Sequence, residues 1–383
     1  VKGVYLLDAL LVERPQVDGA RGLVLAHHRP GQLELVIRPA HGVILKDHLA
    51  HGVVVVSVGG GSAKRLRGGP LRVVVPAGTF LCGELHLRPG VAIEGHAAWS
   101  FRAGQGSILR LNNPEVPCLL NLTGAFGAVV ANLNLHGGDL EGSRAHGIMI
   151  DKPDYGQQED TPRIDTVRVE HFGGDGIHLS RIWCFSVRHS HMMANGGCGI
   201  RVRGWDGFIM DNWLSGNGGA GYGAYEENAS VTMTGNRIEW NRQGGIVIRG
   251  GSHYNITGNY IDRSGNDGIA LTDRDGHRCS VIAATGNVIY RSGRPEWSDP
   301  PERRTAHVRL DGVEGITFTG NALHAGRDDG GRGGWSPHTG LVLRNLDNAV
   351  VRDNVLHQAA LEELISDLGG HGAQVVIRDN PGT

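Results

Sequence analysis

The second half of the chain is built from short segments in which apolar and polar residues alternate. This period-two alternation is typical of β-strands that bury one side. One such segment reads Gly-Ile-x-Leu or a close variant, and it occurs at residues 176–179, 199–202, 245–248 and 268–271. Turns rich in Gly, Asn and Asp separate it from the next strand. The pattern predicts two short strands in every repeat.

A second recurring segment is centred on an asparagine that follows an apolar strand, as in residues 233–238 (MTGNRI) and 256–261 (ITGNYI). Seven such asparagines recur at spacings of 24, 23, 28, 34, 33 and 26, namely Asn212, Asn236, Asn259, Asn287, Asn321, Asn354 and Asn380. In a solenoid, equivalent strands stack at ~4.8 Å, so like residues form columns and the asparagines form a ladder. We therefore predict an all-β fold, a right-handed parallel β-helix.

The register also sets the expected boundaries. A first coil begins near Val73, so we predict that the β-helix spans residues 71–383. Residues 1–70 are strand-like, and we expect an N-terminal cap or edge-strand segment that covers the open end of the core. Near the C-terminus, residues 358–368 (QAALEELISDL) have helical character and are expected to form an insertion or a lateral cover.

The longer coils must extrude loops, and irregular loops on a rigid solenoid are common places for function. The sequence predicts loops at residues 151–163, 291–305 and 324–338, with the last two on the same side. We expect these loops to wall a groove over the middle coils, at about residues 175–275.

Composition narrows the class of protein. Of 383 residues, 61 are glycine and 15 are proline, without the Gly-X-Y period of collagen. A net charge of −2 gives no case for nucleic acid as a partner, and the apolar runs are too short for a membrane span. The five cysteines are widely spaced, which favours small core residues over disulfides or a metal site. The N-terminus lacks a signal sequence, so we expect a cytoplasmic protein, or a secreted one whose signal peptide has been removed.

Counting from the glycine of each Gly-Ile unit aligns outward-facing residues into columns. Glu226 and Asp273 fall in one column two coils apart, at a backbone separation of ~10 Å. Their side chains could converge to the ~6.5–9.5 Å that separates the two carboxyl groups of inverting glycosidases. The hypothesis is a catalytic pair, one acid and one base. The alternative is that both are ordinary solvated turn residues.

The same columns contain arginine, histidine and tyrosine. Arg201, Arg203 and Arg249 could bind the carboxylates of a uronic-acid polymer, while His178 or Tyr225 abstracts a proton in a β-elimination. The alternative is a ladder of charges paired with nearby carboxylates. We expect substrate contacts also from Asp206 at the adjoining turn, and sugar stacking from Trp297 and Trp335 in the two long loops.

No sequence pattern indicates a metal site. The loop at residues 151–163, which we call the acidic loop, carries Asp151, Asp154, Glu159 and Asp160. Their hard carboxylate oxygens suit Ca²⁺, but their spacing is unlike that of an EF-hand. A solvated loop without cofactor is the preferred interpretation. The only lysine of the repeat region is Lys152, so an elimination here would depend on Arg, His or Tyr.

The opening Val73-x-x-Pro-Ala-Gly-Thr-Phe80, followed by Gly-Asn-x-Ile coils, resembles the pectin-lyase-like superfamily of carbohydrate-active β-helices over residues 70–380. That superfamily holds lyases, glycosidases, epimerases, fructan transferases and phage tailspikes. The coils also resemble those of inulin fructotransferases, which are trimers with an Asp-Asn pair and a glutamate eleven residues later. Here Asp211-Asn212 matches, but Tyr222 occupies the position of the glutamate. This resemblance implies a homotrimer.

Taken together, these patterns predict a carbohydrate-active enzyme that cleaves or transfers glycosidic bonds of an oligo- or polysaccharide. A glycosidase using Glu226 and Asp273 is our first expectation. A lyase or epimerase acting on uronates is the second, and an enzyme similar to inulin fructotransferase is the third. The rival of a different class is a non-catalytic carbohydrate-binding or phage-fibre β-helix, which predicts no convergent acid pair.

Overall fold

The computed structural model describes residues 11–12, 23–29, 32–38, 55–57, 71–96, 105–326 and 334–382. It is a right-handed parallel β-helix, as predicted. Each coil has three short strands instead of the predicted two, because the asparagine lies in a bend between two strands. The coil therefore has three faces. No helix in the described ranges has the length and apolar character needed to cross a membrane.

The strands of the first face contain the Gly-Ile units. They are β7 (Leu85–His86), β10 (Cys118–Asn121), β13 (His146–Asp151), β20 (Ala220–Ala224), β23 (Gly244–Arg249), β26 (Asp267–Thr272), β31 (Thr339–Asp347) and β33 (Glu363–Asp367). Three long strands run from the first face around a bend into the second. They are β16 (Ile177–Arg188), β18 (Ile200–Met210) and β29 (Ala306–Thr319).

The second face continues each coil up to the asparagine. Its own strands are β5 (Leu71–Val74), β8 (Val91–Glu94), β11 (Val129–Ala131), β14 (Arg163–Asp165), β21 (Asn228–Thr234), β24 (Ser252–Thr257), β27 (Cys279–Thr285), β32 (Ala349–Arg352) and β34 (Val375–Arg378). The third face is a separate sheet. Its strands are β6 (Gly78–Cys82), β9 (Ser107–Leu111), β12 (Asn134–His136), β15 (Arg168–Glu170), β17 (His191–Met193), β19 (Trp213–Ser215), β22 (Arg237–Glu239), β25 (Tyr260–Asp262), β28 (Val288–Tyr290) and β30 (Ala322–His324).

Stacked apolar columns and two asparagine ladders hold the coils together. The Gly-Ile isoleucines Ile177, Ile200, Ile246 and Ile269 are fully buried. The predicted ladder is present: the Asn236 Nδ2 donates to Asn259 Oδ1 at 2.8 Å, and Asn259 Nδ2 to Asn287 Oδ1 at 3.0 Å. A second ladder, of Asn195, Asn217 and Asn241, lies at the bend from the third face to the first. Each asparagine side chain hydrogen-bonds to the asparagine of the next coil in the interior, where an unpaired donor would be costly.

Four strands precede the first coil: β1 (Leu11–Val12), β2 (Leu23–Arg29), β3 (Gln32–Arg38) and β4 (Val55–Ser57). Strands β2 to β5 pair antiparallel in chain order, and β1 pairs antiparallel with β7. The rest of residues 1–70 lies outside the described residues, so the predicted cap stays a prediction.

The helical interpretation of residues 358–368 is wrong. Residues 363–367 form strand β33, in which Ile365 pairs with Leu341 of the preceding coil. The chance to extend the sheet overrides the local helix propensity of this segment. Among the described residues, the one helical element is a single 3₁₀ turn, Pro295–Trp297.

Candidate functional site

The outward columns of the first face are those expected from the repeat. His178 pairs with Arg201, which pairs with Gly223, and the column continues through Val247 and Ala270. One outward position further along, Ser180 pairs with Arg203 and Arg249 pairs with Thr272. Tyr225 follows β20 between these two pairs. The predicted His, Arg and Tyr residues therefore lie on adjacent coils of one face.

A hydrogen-bonded triad occupies one end of this face. The His178 Nδ1 lies 2.8 Å from Asp175 Oδ2, and the backbone N–H of Asp175 donates to His146 Nδ1 over 2.8 Å. The two imidazole rings stack with centroids 4.3 Å apart. Because Asp175 is an acceptor at this oxygen, it favours the tautomer of His178 with hydrogen on Nδ1. That tautomer leaves Nε2 of His178 as the basic nitrogen.

The environment fixes the charge of the other two members. Burial, together with the neighbouring His178, lowers the pKa of His146 to about 4, so His146 is neutral near pH 7. Burial raises the pKa of Asp175, but the hydrogen bond to His178 and the nearby His146 and Cys198 N–H together bring it below its ordinary value. Asp175 is therefore an anion that orients His178.

Cys198 links this triad to Tyr225. Its backbone N–H donates to Asp175 Oδ1 over 2.7 Å, and its Sγ lies 3.4 Å from Tyr225 Oη. The tyrosine hydroxyl occupies space that Gly223 leaves open: a Cβ at residue 223 would lie 2.6 Å from it. His178 and Tyr225 are thus held in a fixed relation through Asp175 and Cys198.

Two arginines flank the Tyr225 ring. The guanidinium carbons of Arg201 and Arg249 each lie 5.4 Å from its centroid. Burial raises the pKa of Tyr225, as does the adjacent Cys198, and this outweighs the lowering by the two arginines. The phenol is therefore protonated at neutral pH, which suits a proton donor better than a base.

The carboxylates Glu226 and Asp273 have different partners. Glu226 forms ion pairs with Arg201 at 3.2 Å and Arg203 at 3.0 Å. Asp273 accepts a hydrogen bond from the Gly276 N–H at 3.3 Å. A carboxylate neutralised by two guanidinium groups is suited to charge balance rather than to proton donation. The catalytic pair stays a prediction.

The remaining predicted residues lie at other places on the solenoid. Asp206 accepts a hydrogen bond from Trp183 Nε1 at the bend between the first and second faces. The ring centroids of Trp297 and Trp335 are 5.1 Å apart, and the Trp240 ring also packs against Trp335. The guanidinium carbon of Arg294 lies 3.9 Å from the Trp335 ring centroid. This cluster lies at the turns that precede the first-face strands, whereas Tyr225 follows such a strand.

A buried ion pair closes the acidic loop on itself, and a hydrogen bond from Trp183 fastens the loop to the solenoid. Lys152 Nζ lies 2.7 Å from Asp160 Oδ2, which also accepts the Trp183 N–H. Within the described ranges, the group of side chains that could hold a metal is His146, Asp175 and His178, whose ligand atoms lie within 4.8 Å of one another. These are the members of the triad, and hydrogen bonds already connect them.

His146, Asp175 and Cys198 were not singled out from the sequence. Each immediately precedes the glycine of a Gly-Ile unit, so together they form a third column that the repeat contains. Asp175 was interpreted as an ordinary turn residue because Asp-Gly is common in turns. Aligning the residue before each glycine would have revealed it.

The comparisons agree with this architecture. The protein-family model described as the right-handed β-helix region matches residues 120–283 and 175–322, which together are more than half of the chain. The chain belongs to this family of right-handed β-helix proteins. Its resemblance to the pectin-lyase-like superfamily is thereby confirmed. No curated protein sequence is significantly similar to this β-helix protein.

Several solved structures share the fold at low sequence identity. The mannuronan C-5 epimerase AlgE4 A-module of Azotobacter vinelandii has 18% identity and a TM-score of 0.54, over 83% of this chain and 91% of that one. DFA-IIIase from Arthrobacter chlorophenolicus, in complex with GF2, has 16% identity and a TM-score of 0.52, over 82% and 85%. Tailspike protein 2 of bacteriophage CBA120 has 13% identity and a TM-score of 0.58, over 92% and 59%.

Proposed function

We propose that this β-helix protein is a carbohydrate-active enzyme that removes the C5 proton of a uronate unit in a polysaccharide. The observation that carries the proposal is the Asp175–His178 pair beside the protonated Tyr225. A histidine oriented by a buried carboxylate is a common general base. Tyr225, whose phenol is protonated at neutral pH, supplies the complementary acid.

In this reaction His178 Nε2 takes the proton from C5, and the electron pair is delocalised into the adjacent carboxylate. Two outcomes balance. In an elimination, the electron pair forms a C4–C5 double bond, the C4–O bond breaks, and Tyr225 protonates the departing oxygen. In an epimerisation, Tyr225 returns a proton to the opposite face of C5.

The substrate carboxylate needs a cation, since charge accumulates on it when C5 is deprotonated. Arg249 suits this role: its side chain is exposed beside Tyr225, and among the described residues it forms no ion pair. Arg201 lies on the other side of the same ring but shares Glu226 with Arg203. Arginine binds carboxylates in a bidentate manner, which also orients the sugar.

The similar structures support the general class. One is named a mannuronan C-5 epimerase, and its name states inversion at the carbon proposed here. The others are a DFA-IIIase and a phage tailspike, so the fold by itself does not select the reaction. The triad geometry is what favours proton abstraction over the glycosidase that we expected first.

The test is incubation with a panel of polyuronates in D₂O. Deuterium at C5 reports proton abstraction followed by reprotonation, ultraviolet absorbance reports the unsaturated ends that elimination leaves, and proton NMR reports inversion. We expect His178→Ala to lower all of these signals by about 10²–10⁴-fold. His189→Ala is the matched control, because this exposed histidine pairs with Asp165 on another face.

Two results would contradict the proposal. One is release of reducing ends with neither ultraviolet absorbance nor deuterium at C5, abolished by Glu226→Gln or Asp273→Asn, which would establish the carboxylate pair of a glycosidase. The other is full activity in both His178→Ala and Tyr225→Phe.

A further inference from the structure

A second cleft lies on the second face, around the bend from His178. We call it the Phe208 cleft. It has a volume of about 380 Å³, and its lining includes Arg163, Phe185, Ser186, Asp206, Phe208 and Thr232. We propose that the Phe208 cleft is a carbohydrate-binding site for a neutral sugar unit, separate from the His178 site.

The repeat builds this cleft from one outward column. Arg163 pairs with Ser186, Ser186 with Phe208, and Phe208 with Thr232. Gly207 has no side chain, and the buried Phe185 ring fills the space beneath it: a Cβ at residue 207 would lie 2.1 Å from that ring. Thr161 and Pro162, where the acidic loop returns to the solenoid, form one wall. The cleft is therefore formed by packed elements of four neighbouring coils.

Phe208 is the unusual residue of the lining. Its side chain is 48% exposed, although it lies within strand β18 and not in a loop. The guanidinium of Arg188 lies 5.7 Å from its ring centroid and donates to Ser186 Oγ, which restricts the movement of both neighbours. A fixed, exposed aromatic ring provides a flat apolar surface of the kind against which the C–H face of a pyranose packs.

The polar lining suits hydroxyl groups rather than carboxylates. Ser186, Ser230 and Thr232 supply hydroxyls, which donate and accept hydrogen bonds as sugar hydroxyls require. The lining holds one cation, Arg163, and one carboxylate, Asp206, so its net charge is close to zero. The volume is near the lower end of ligand pockets, at roughly 300 Å³ and above. A single neutral sugar unit matches this combination of size, charge and apolar surface.

The Phe208 cleft is independent of the proposed reaction. The bend that separates it from His178 is fixed by left-handed backbone at Cys184 and Asp206, with φ of 56° and 60°. A sugar bound here would not cover Tyr225 or Arg249. The site would hold a polysaccharide on the solenoid whether or not His178 acts on a uronate.

The experiment is affinity electrophoresis of the full chain in gels containing galactomannan, β-glucan or a polyuronate. We expect retardation by a neutral polysaccharide, weakened about tenfold or more in Phe208→Ala and also reduced in Thr232→Val. Val288→Ala is the matched control, because Val288 is an exposed apolar residue on the third face, 40% accessible. His178→Ala should bind as the wild type does, which keeps this test distinct from that of the proposed function.

Three results would overturn the inference. They are no retardation by any neutral polysaccharide, equal retardation of Phe208→Ala and wild type, and loss of binding in His178→Ala. Light scattering tests whether a second copy of the chain occupies the cleft instead of a sugar. If the wild type is an oligomer and Phe208→Ala is a monomer, the cleft is an interface between copies and not a sugar site.

Discussion

Tyr225 places its hydroxyl group over Gly223, in space that any side chain at residue 223 would fill. The gap is specific to this coil, since the equivalent positions on neighbouring coils are Arg201 and Val247. Gly223 has ordinary backbone geometry and does not appear among the residues with positive φ. Its role is therefore to make room for the phenol rather than to permit a turn.

Gly223→Ala should displace Tyr225 and reduce turnover by about 10²-fold, because small misplacements of a reacting group are costly. The new Cβ would lie 2.6 Å from Tyr225 Oη and 2.9 Å from Cys198 Sγ. Turnover on a polyuronate, with circular dichroism to verify folding, is the measurement. Gly83→Ala is the control, since nothing lies within 4 Å of a Cβ at Gly83. Unchanged turnover in Gly223→Ala would remove Tyr225 from the mechanism.

Asp175→Asn should lower kcat by about 10²–10⁴-fold with little change in KM, because His178 loses the anion that orients it. The pH profile of kcat should shift, which a purely structural residue would not cause. Asp165→Asn is the matched control: Asp165 also lies close to a histidine, His189, at 3.1 Å, but on the second face. Equal losses in the two variants would mean that the effect is general destabilisation.

Asn259→Ala should lower the free energy of unfolding by about 3–5 kcal/mol, measured by urea denaturation. The substitution removes the acceptor of the Asn236 backbone and side-chain amides, and the donor to Met233 and Asn287. Asn255→Ala, at an exposed position on the strand that precedes this bend, should change stability by less than about 0.5 kcal/mol. Similar effects at both positions would show that the ladder adds little beyond strand pairing.

Stability should decline in acid partly because of His307. Burial lowers the pKa of this fully buried residue from 6.5 to about 3, so the unfolded chain binds a proton that the folded chain does not. The folded state therefore loses roughly 1.4 kcal/mol per pH unit as pH falls from about 6.5 towards 3. His307→Leu should flatten that acid limb in denaturation curves, whereas the exposed His189→Leu should leave it unchanged. An unaltered slope in His307→Leu would assign the acid sensitivity to other groups.

The solenoid and its columns were predictable because each coil is a copy of the last. The positions of Gly176 and Gly199 in successive Gly-Ile units determine the register, and the register by itself places Arg201 beside His178. The three-strand coil was missed because strands of three residues, such as Trp213–Ser215, are too short for a periodic signal.

The site was predicted less completely. Columns indicate which residues are neighbours but not which partner a side chain selects. Glu226 was expected to work with Asp273, yet its oxygens contact Arg201 and Arg203. The Asp175 hydrogen bond to His178 depends on rotamers and on burial, neither of which a repeat alignment contains.

The asparagine ladder also allows whole coils to be gained or lost during evolution. The hydrogen bonds of each ladder asparagine reach no further than the coils on either side, so a whole coil can be duplicated or deleted without changing the bonding pattern of the others. The length of the outer face then changes in steps of ~4.8 Å while its ends are preserved. A lineage with this architecture can match its surface to longer or shorter glycans by copying a segment of its gene, rather than by redesigning a binding site residue by residue.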